Sequence, residues 1–234
     1  LIPARSGSKG ISNKNLVKLK DSPLIQHTIE AAKKSEELDD IYISSDCDEI
    51  LSFADKFNLK KIKRPLEFSK DNSSANDVIR HMISLNLFNN QEIALVYLQP
   101  TSPLRTFKHI DEAINLFRST DSSSLISVKT SSETPFKAFK INDEKLQAIF
   151  DEDKTTRNRQ DLEKTYYPNG AIYIFKLSSF LDNGSKIPVN NCLPYIMIQE
   201  ESVDIDSNFD LLIAENILNF RKNIDIPTMI AFQQ

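Results

Sequence analysis

Ile2-Pro3-Ala4-Arg5-Ser6-Gly7-Ser8-Lys9-Gly10 begins with the end of an apolar strand and turns at once into a cationic loop. The whole chain has 4 glycines, and Gly7 and Gly10 are two of them. Glycine lets the backbone turn sharply and approach a ligand closely. Exposed N–H groups in such a turn form a concavity suited to anions. Arg5, Lys9 and Lys14 add positive charge, and Asn15 follows directly. The combination suits a di- or triphosphate; the plain alternative is a basic surface turn. Neither the P-loop spacing G-x-x-x-x-G-K-[ST] nor the dinucleotide fingerprint G-x-G-x-x-G is present.

Outward from this loop, strands and helices alternate. Leu24, Ile25, Ile29 and Ala32 share one face of a helix expected over 23–36. Ile41 to Ser45 reads as a short buried strand, and residues 48–58 as a helix with Ile50, Leu51, Ala54 and Phe57 in phase. A helix is expected at 75–87, and Ile93 to Leu98 is the clearest buried strand. Ile110, Ala113, Ile114 and Phe117 mark the next helix, and Leu125 to Val128 another strand. This rhythm predicts an α/β fold: a mainly parallel, Rossmann-like sheet flanked by helices and joined by right-handed crossovers. It breaks at residues 131–168, which are polar, charged and weakly periodic, as in an inserted arm. The strand Ala171 to Phe175 returns afterwards. A last helix at about 208–220 carries Phe209, Leu212, Ile213 and Ile217 on one face. One domain, 1–234, with an inserted arm accounts for the whole pattern.

At 234 residues, 40% hydrophobic and 26% charged, the chain can bury a real core. Its net charge of −4 argues against a nucleic-acid binder, so any cation cluster is local. Cys47 and Cys192 have no metal-ligand spacing and read as ordinary thiols of a reducing compartment. The three histidines, His27, His81 and His109, lie in helix-like segments and read as packing or surface residues. No apolar run reaches the roughly 18 residues of a membrane span, and no signal-peptide pattern is present. The first residue is Leu, and a few residues extending the first strand are expected before it.

Open parallel sheets bind ligands at the carboxyl ends of their strands, where the unusual residues collect. Gln99-Pro-Thr-Ser-Pro-Leu-Arg105 follows the strand 93–98. Gln99 and Ser102 are substrate-reading candidates on this loop, although its prolines and hydroxyls also shape a rigid turn by themselves. Arg105 is an alternative loop-holder, paired with a nearby acid. Asp204 and Asp206 alternate with Val203 and Ile205, which on a strand puts both carboxylates on one face. Such a pair repels unless a cation joins it, and a hard divalent ion such as Mg²⁺ takes oxygen ligands. The competing reading makes Asp206 or Ser207 a helix cap and leaves Asp204 solvated. Asp46 is expected to cap the helix at 48–58.

Ile2 to Asn15 closely resembles the signature of the acylneuraminate cytidylyltransferases, the CMP-sialic acid synthetases and their relatives. Three further stretches match in order: Gln99 to Arg105, Asn169-Gly170-Ala171-Ile172-Tyr173-Ile174, and Ser202-Val203-Asp204-Ile205-Asp206. The resemblance covers nearly the whole chain, lies nearer the nine-carbon (nonulosonic) acid branch than the Kdo-activating one, and implies a nucleotide-diphospho-sugar transferase-like fold. It implies that CTP and a sugar acid give a CMP-sugar and pyrophosphate, with Mg²⁺ on Asp204 and Asp206. Arg5, Lys9 and Lys14 would hold the triphosphate, with Asn15 a further nucleotide contact. Arg64, and more weakly Ser73, would touch the base or ribose, in a segment that also contains Asp71. Gln99, Ser102, Asn169 and Gly170 would meet substrate. In the arm, Lys137, Arg157, Arg159 and Gln160 resemble positions that meet the sugar acid's carboxylate or the phosphate, and Arg159 joins Arg5, Lys9 and Lys14 as a catalytic candidate. A solvated charged arm is the alternative there.

The family's arm crosses to a partner subunit, which implies a homodimer. No membrane or nucleic-acid partner is implied, and a bacterial cytoplasmic enzyme is expected. The segment 184–195 is short, and the sugar stays open among N-acetylneuraminic, legionaminic, pseudaminic and related acids. Two rival readings remain at this level. Asp204-Ile205-Asp206 also resembles the D-x-D metal motif of glycosyltransferases, and a catalytically silent nucleotide binder would keep the same loop.

Overall fold

The computed structural model describes residues 1–8, 10–70, 72–87 and 93–223, so Lys9 and Asp71 lie outside the described residues. Strand β1 (Ile2–Pro3) leads through a 3₁₀ turn at Lys14–Leu16 to a small ribbon, β2 (Lys18–Leu19) and β3 (Ser22–Pro23). Helix α1 (Leu24–Lys34), β4 (Tyr42–Ser45), α2 (Asp48–Asp55) and β5 (Lys60–Lys63) follow, then α3 (Ala75–Ser84), β6 (Ala94–Tyr97), α4 (Phe107–Arg118) and β7 (Ser124–Thr130). The arm holds a hairpin, β8 (Phe139–Asn142) and β9 (Lys145–Ala148), and a short helix, α5 (Glu152–Thr156). It returns as β10 (Tyr166–Lys176), followed by α6 (Leu177–Asp182), β11 (Cys192–Ile196) and α7 (Asn208–Asn223).

The strands β5-β4-β1 pair in parallel. The hydrogen bonds Leu1 N–H to Val96 O (2.7 Å) and Leu98 N–H to Leu1 O (3.0 Å) join β1 to β6. β10 lies antiparallel between β6 and β7, and β11 completes the sheet parallel to β7. The order among the described residues is therefore 5-4-1-6-10-7-11, with β10 the one reversed strand. The mainly parallel reading holds, and the reversal has a plain cause. The chain re-enters the sheet from the arm, not through a helical crossover.

Alternation along the central strands fills both faces. Ile2, Val96, Leu98 and Ile174 pack on one side with residues of α1, α2 and α4. Leu1, Leu95, Tyr97 and Phe175 pack on the other with Val78, Ile79 and Met82 of α3 and Phe180 of α6. Each large apolar side chain buried this fully contributes about 1.5–3 kcal/mol. The expected faces of α1 and α4 are buried as read. α7 differs: Phe209 and Leu212 are exposed, whereas Leu211, Ala214 and Leu218 pack with Ile11, Leu19 and Ile205.

Several strands escaped the periodic reading, among them β5, β11 and the β2/β3 ribbon. β5 is Lys-Lys-Ile-Lys, an edge strand burying Ile62 alone; edge strands carry lysine on their open side. β11, at the other edge, and the β2/β3 ribbon are too mixed or too short to show a period.

Candidate active site

Four segments converge at the carboxyl ends of β1, β5 and β6. They enclose a cavity of about 480 Å³ lined by Arg5, Lys14, Asn15, Arg64, Ser73, Gln99, Thr101, Asp204 and Asp206, among others. A larger cavity of about 890 Å³ lies elsewhere, beside Leu1, Tyr42 and Phe117, and contains none of the candidate residues.

The opening loop is held from several sides. Asp46, after β4, accepts from Ser6 N–H (2.9 Å) and Ser6 Oγ–H (2.5 Å). Burial pushes its carboxyl up, but the Ser6 bonds outweigh this and hold it below the ordinary aspartate range. Asp46 therefore does not cap α2, whose cap position is Cys47 without a side-chain bond. Asn15, buried and expected to contact nucleotide, donates from Nδ2 to Arg5 O (2.9 Å) and fixes the loop's turn. A Cβ on Gly10 would lie 2.0 Å from the carbonyl oxygen of Asp206, so only glycine lets the opening loop touch the Asp204–Asp206 segment.

Arg64 is 3% exposed, yet its Nε and Nη2 have no protein hydrogen-bond partner. Burial lowers its guanidinium from the usual arginine value, the Tyr97 hydroxyl and Asp46 pull the other way, and Arg5 adds to the lowering. Burying a charge with unmet donors is costly. An arginine held this way in a pocket wall points to an anionic or carbonyl-bearing ligand. Ser73 lines the same wall, and its Oγ–H donates to Glu67 O (3.4 Å).

Asp204 lines the same cavity. Burial raises its carboxyl above the ordinary aspartate range, against a hydrogen bond from Thr101, and the carboxylate of Asp206 raises it further. Its Oδ1 is buried without a partner. Asp206 is open to solvent, with its side chain 78% exposed, and its Oδ1 accepts from Lys14 Nζ (2.9 Å). The cap of α7 falls to Ser207, which exchanges bonds with Asp210. That removes the capping alternative for Asp206. An orphaned carboxylate oxygen beside a second carboxylate is a donor set that fits a divalent cation, with further oxygens to come from phosphate or water. No cluster of three or more such ligands occurs among the described residues.

The loop after β6 is braced from below. Arg105, 2% exposed, donates to Gln99 O (3.1 Å), Ala171 O (2.7 Å) and Thr28 Oγ (2.7 Å). Its partners are two carbonyls and a hydroxyl, not the acid expected, and burial brings its guanidinium down to about 9. Gln99 lies over Gly170, where a Cβ would come 2.6 Å from its Oε1 and 3.5 Å from Asp204 Oδ2. Gly170 has φ +77° and sits in a register break of β10 between Pro168 and Tyr173. Bulges bend a strand to aim side chains.

Asn169, expected to meet substrate, is buried inside this bulge. Its Oδ1 accepts from Ser127 Oγ (2.6 Å) and Ala171 N–H (3.2 Å), and its Nδ2 donates to Ser202 Oγ (2.9 Å). Its amide is spent on the fold, so it positions Gly170 and does not line the cavity. Ser102, 1% exposed, likewise lies beneath the wall. The arm residues stand apart within this chain. Arg157 pairs with Asp153, Arg159 with Glu133 (3.1 Å), and neither they nor Lys137 and Gln160 line the cavity. Sequence reasoning missed Thr101, Tyr97 and the Ser6–Asp46 clasp. Thr101 sat within the quoted loop, but only the fold shows that it donates to Asp204.

A family model described as Cytidylyltransferase matches residues 1–188. The N-acylneuraminate cytidylyltransferase of Escherichia coli O18:K1:H7 is 34% identical over 218 residues, which are 93% of this chain and 51% of that protein. The chain thus spans about half the length of the first curated relatives it matches. The pseudaminic acid cytidylyltransferase of Campylobacter jejuni is 31% identical over 218 residues, 92% of this chain and 93% of that protein. A solved CMP:2-keto-3-deoxy-manno-octonic acid synthetase complexed with CTP shares the fold at TM-score 0.69 and 16% identity, covering 94% of this chain and 97% of that one.

Proposed function

The chain belongs to the cytidylyltransferase family, and from that premise we propose that it joins CTP to a nonulosonic, sialic-type sugar acid, giving the CMP-sugar and pyrophosphate. The observation that carries the reading is the buried, unsatisfied guanidinium of Arg64 in the wall of a cavity that also presents the orphaned oxygen of Asp204. The same cavity thus asks for an anion or carbonyl at Arg64 and for a cation at Asp204, as a metal–nucleotide complex would provide.

In this reading the anomeric hydroxyl oxygen bonds to the α-phosphorus in line as the bond to the bridging oxygen breaks, and pyrophosphate leaves. The hydroxyl proton passes to solvent, and no protein base is assigned. Arg5 and Lys14, with Lys9 beyond the described residues, neutralise the charge that grows on the departing phosphates. Arg64 and Ser73 face the base or ribose, and Gln99, aimed across Gly170, faces the join between nucleotide and sugar. Asn15, Arg105 and Asn169 hold these groups in place. Mg²⁺, held by Asp204 and Asp206, supplies charge neutralisation at the phosphates when bound.

The arm carries exposed Ile141, Leu146, Ile149 and Phe150, an apolar surface of the kind that a subunit contact covers. We place there the contact of a cytoplasmic homodimer, in which Lys137, Arg157, Arg159 and Gln160 reach the neighbour's sugar-acid site. The described residues include no helix long and apolar enough to cross a membrane.

The test is pyrophosphate release with Mg²⁺ from CTP, compared with ATP, GTP and UTP, over a panel of nonulosonic acids. Release with CTP and one acid is the expected result, and it names the sugar. Release with no acid, alongside cleavage of a ready-made CMP- or UDP-sugar, would replace the reading with a glycosyltransferase.

A further inference from the structure

We propose that Lys14 is a resident counter-cation: in the nucleotide-free protein its ammonium occupies the place at Asp206 that a divalent ion takes, and nucleotide phosphates draw it away. The proposal rests on the CTP and metal reading above and adds the coupling between the two ligands. Lys14 Nζ lies 2.9 Å from Asp206 Oδ1 and 2.8 Å from Ile205 O. Its side chain is 14% exposed, while that of Asp206 is 78% exposed. The lysine is therefore the enclosed partner and the aspartate the open one.

The surroundings hold the backbone that carries this lysine. Lys14 begins a 3₁₀ turn closed by Leu16 N–H to Asn13 O (2.8 Å) and Val17 N–H to Lys14 O (3.2 Å). The neighbouring Asn15 ties the turn to Arg5 O, and Gly10 seats the loop against Asp206 O. The charged groups of the cavity are unequally met. The carboxylate of Asp206 already has a cation, whereas Nε and Nη2 of Arg64, 3% exposed, have no hydrogen-bond partner. An ammonium and a divalent ion repel at contact distance and cannot share one carboxylate oxygen. A phosphate entering beside Arg64 offers Lys14 a second anion. When the lysine moves onto the phosphate, Asp206 is freed to join Asp204 as a ligand. Nucleotide and metal thus bind with positive coupling, and the empty protein holds metal weakly.

The coupling predicts opposite effects from one substitution. Mn²⁺ serves as the probe, its free fraction read by electron paramagnetic resonance, with Lys14→Met and with Lys14→Gln, which keeps a donor for Ile205 O. Both variants should bind Mn²⁺ about tenfold tighter than wild type without nucleotide, the scale of one unit charge facing a divalent ion in a solvated site. With CTP present, both should bind the Mn²⁺–CTP complex about tenfold more weakly. A lysine that merely supports the loop would weaken both or neither, so unchanged or weaker Mn²⁺ binding by both nucleotide-free variants overturns the proposal. Asp204→Asn separates this failure from that of the underlying reading. If Asp204→Asn abolishes Mn²⁺ uptake with CTP while the lysine variants gain nothing, the counter-cation role alone falls. If Asp204→Asn binds Mn²⁺–CTP like wild type, the metal assignment falls and the proposal with it.

Discussion

Gly10→Ala tests whether the opening loop and the aspartate segment form one site. The backbone at Gly10 lies outside the left-handed region, so alanine costs nothing there in torsion. The whole effect comes from contact: the new methyl group would sit 2.0 Å from Asp206 O, where ordinary contact begins near 3.4 Å. The loop must retreat by the difference, about 1.4 Å, and its neighbour is backbone that cannot swing aside. Overpacking of this kind costs about 1–3 kcal/mol, and 1 kcal/mol moves Tm by about 2–4 °C in a domain of this size. Activity should suffer more, since a shift of about 1 Å between reacting groups costs roughly a hundredfold. The assay is calorimetric Tm together with kcat/KM for pyrophosphate release. Gly7→Ala is the control, because a Cβ there meets nothing within 4 Å. A Gly10→Ala protein within about 1 °C and twofold of wild type would refute the packing of loop against Asp206.

Arg64→Met should split stability from binding. Removing a buried, unmet guanidinium leaves Tm unchanged or raised, while CTP affinity falls by at least about tenfold, the worth of one charged hydrogen bond; titration calorimetry reads the second and a melt the first. Arg105→Met should do the reverse of the first effect. It removes the buried donor to the Ala171 and Gln99 carbonyls and to the Thr28 hydroxyl and should cost about 2–4 kcal/mol by denaturant unfolding. Asp46→Asn should be destabilising in a pH-dependent way. The folded-state carboxyl of Asp46 titrates below the ordinary 3.8, so its stabilising effect is fully present above that value and is lost as pH falls through the lower one. The stability gap between wild type and Asp46→Asn, followed by urea melts, should therefore shrink as the pH drops below about 4.

The sequence made the sheet legible where both faces of a strand are buried. Ala94 to Tyr97 and the amphipathic α1 and α4 carry their period openly, because one environment selects every residue of a face. Lys60–Lys63 does not, since an edge strand packing only Ile62 leaves its other positions to solvent. Phe209 and Leu212 misled the reading of α7: they look like a core face, but Leu211, Ala214 and Leu218 hold that place. Eight of the expected site residues converge: six lie in the segments after the parallel strands β1, β5 and β6, and Asp204 and Asp206 come in on the segment before α7. The partners were not legible. Lys14 and Asp206 are 192 positions apart, and nothing local to either announces the ion pair. Asn169 and Asp46 read as a ligand contact and a helix cap, because polar residues beside motifs look alike until their hydrogen bonds can be counted.

The most direct test of cytidylyl transfer is ³¹P NMR of the wild-type protein with CTP, Mg²⁺ and the accepted sugar acid. The account predicts a phosphodiester resonance from the CMP-sugar and a pyrophosphate resonance growing in equal amounts as CTP is consumed. Pyrophosphate with CMP and no phosphodiester, or CDP with inorganic phosphate, would contradict it.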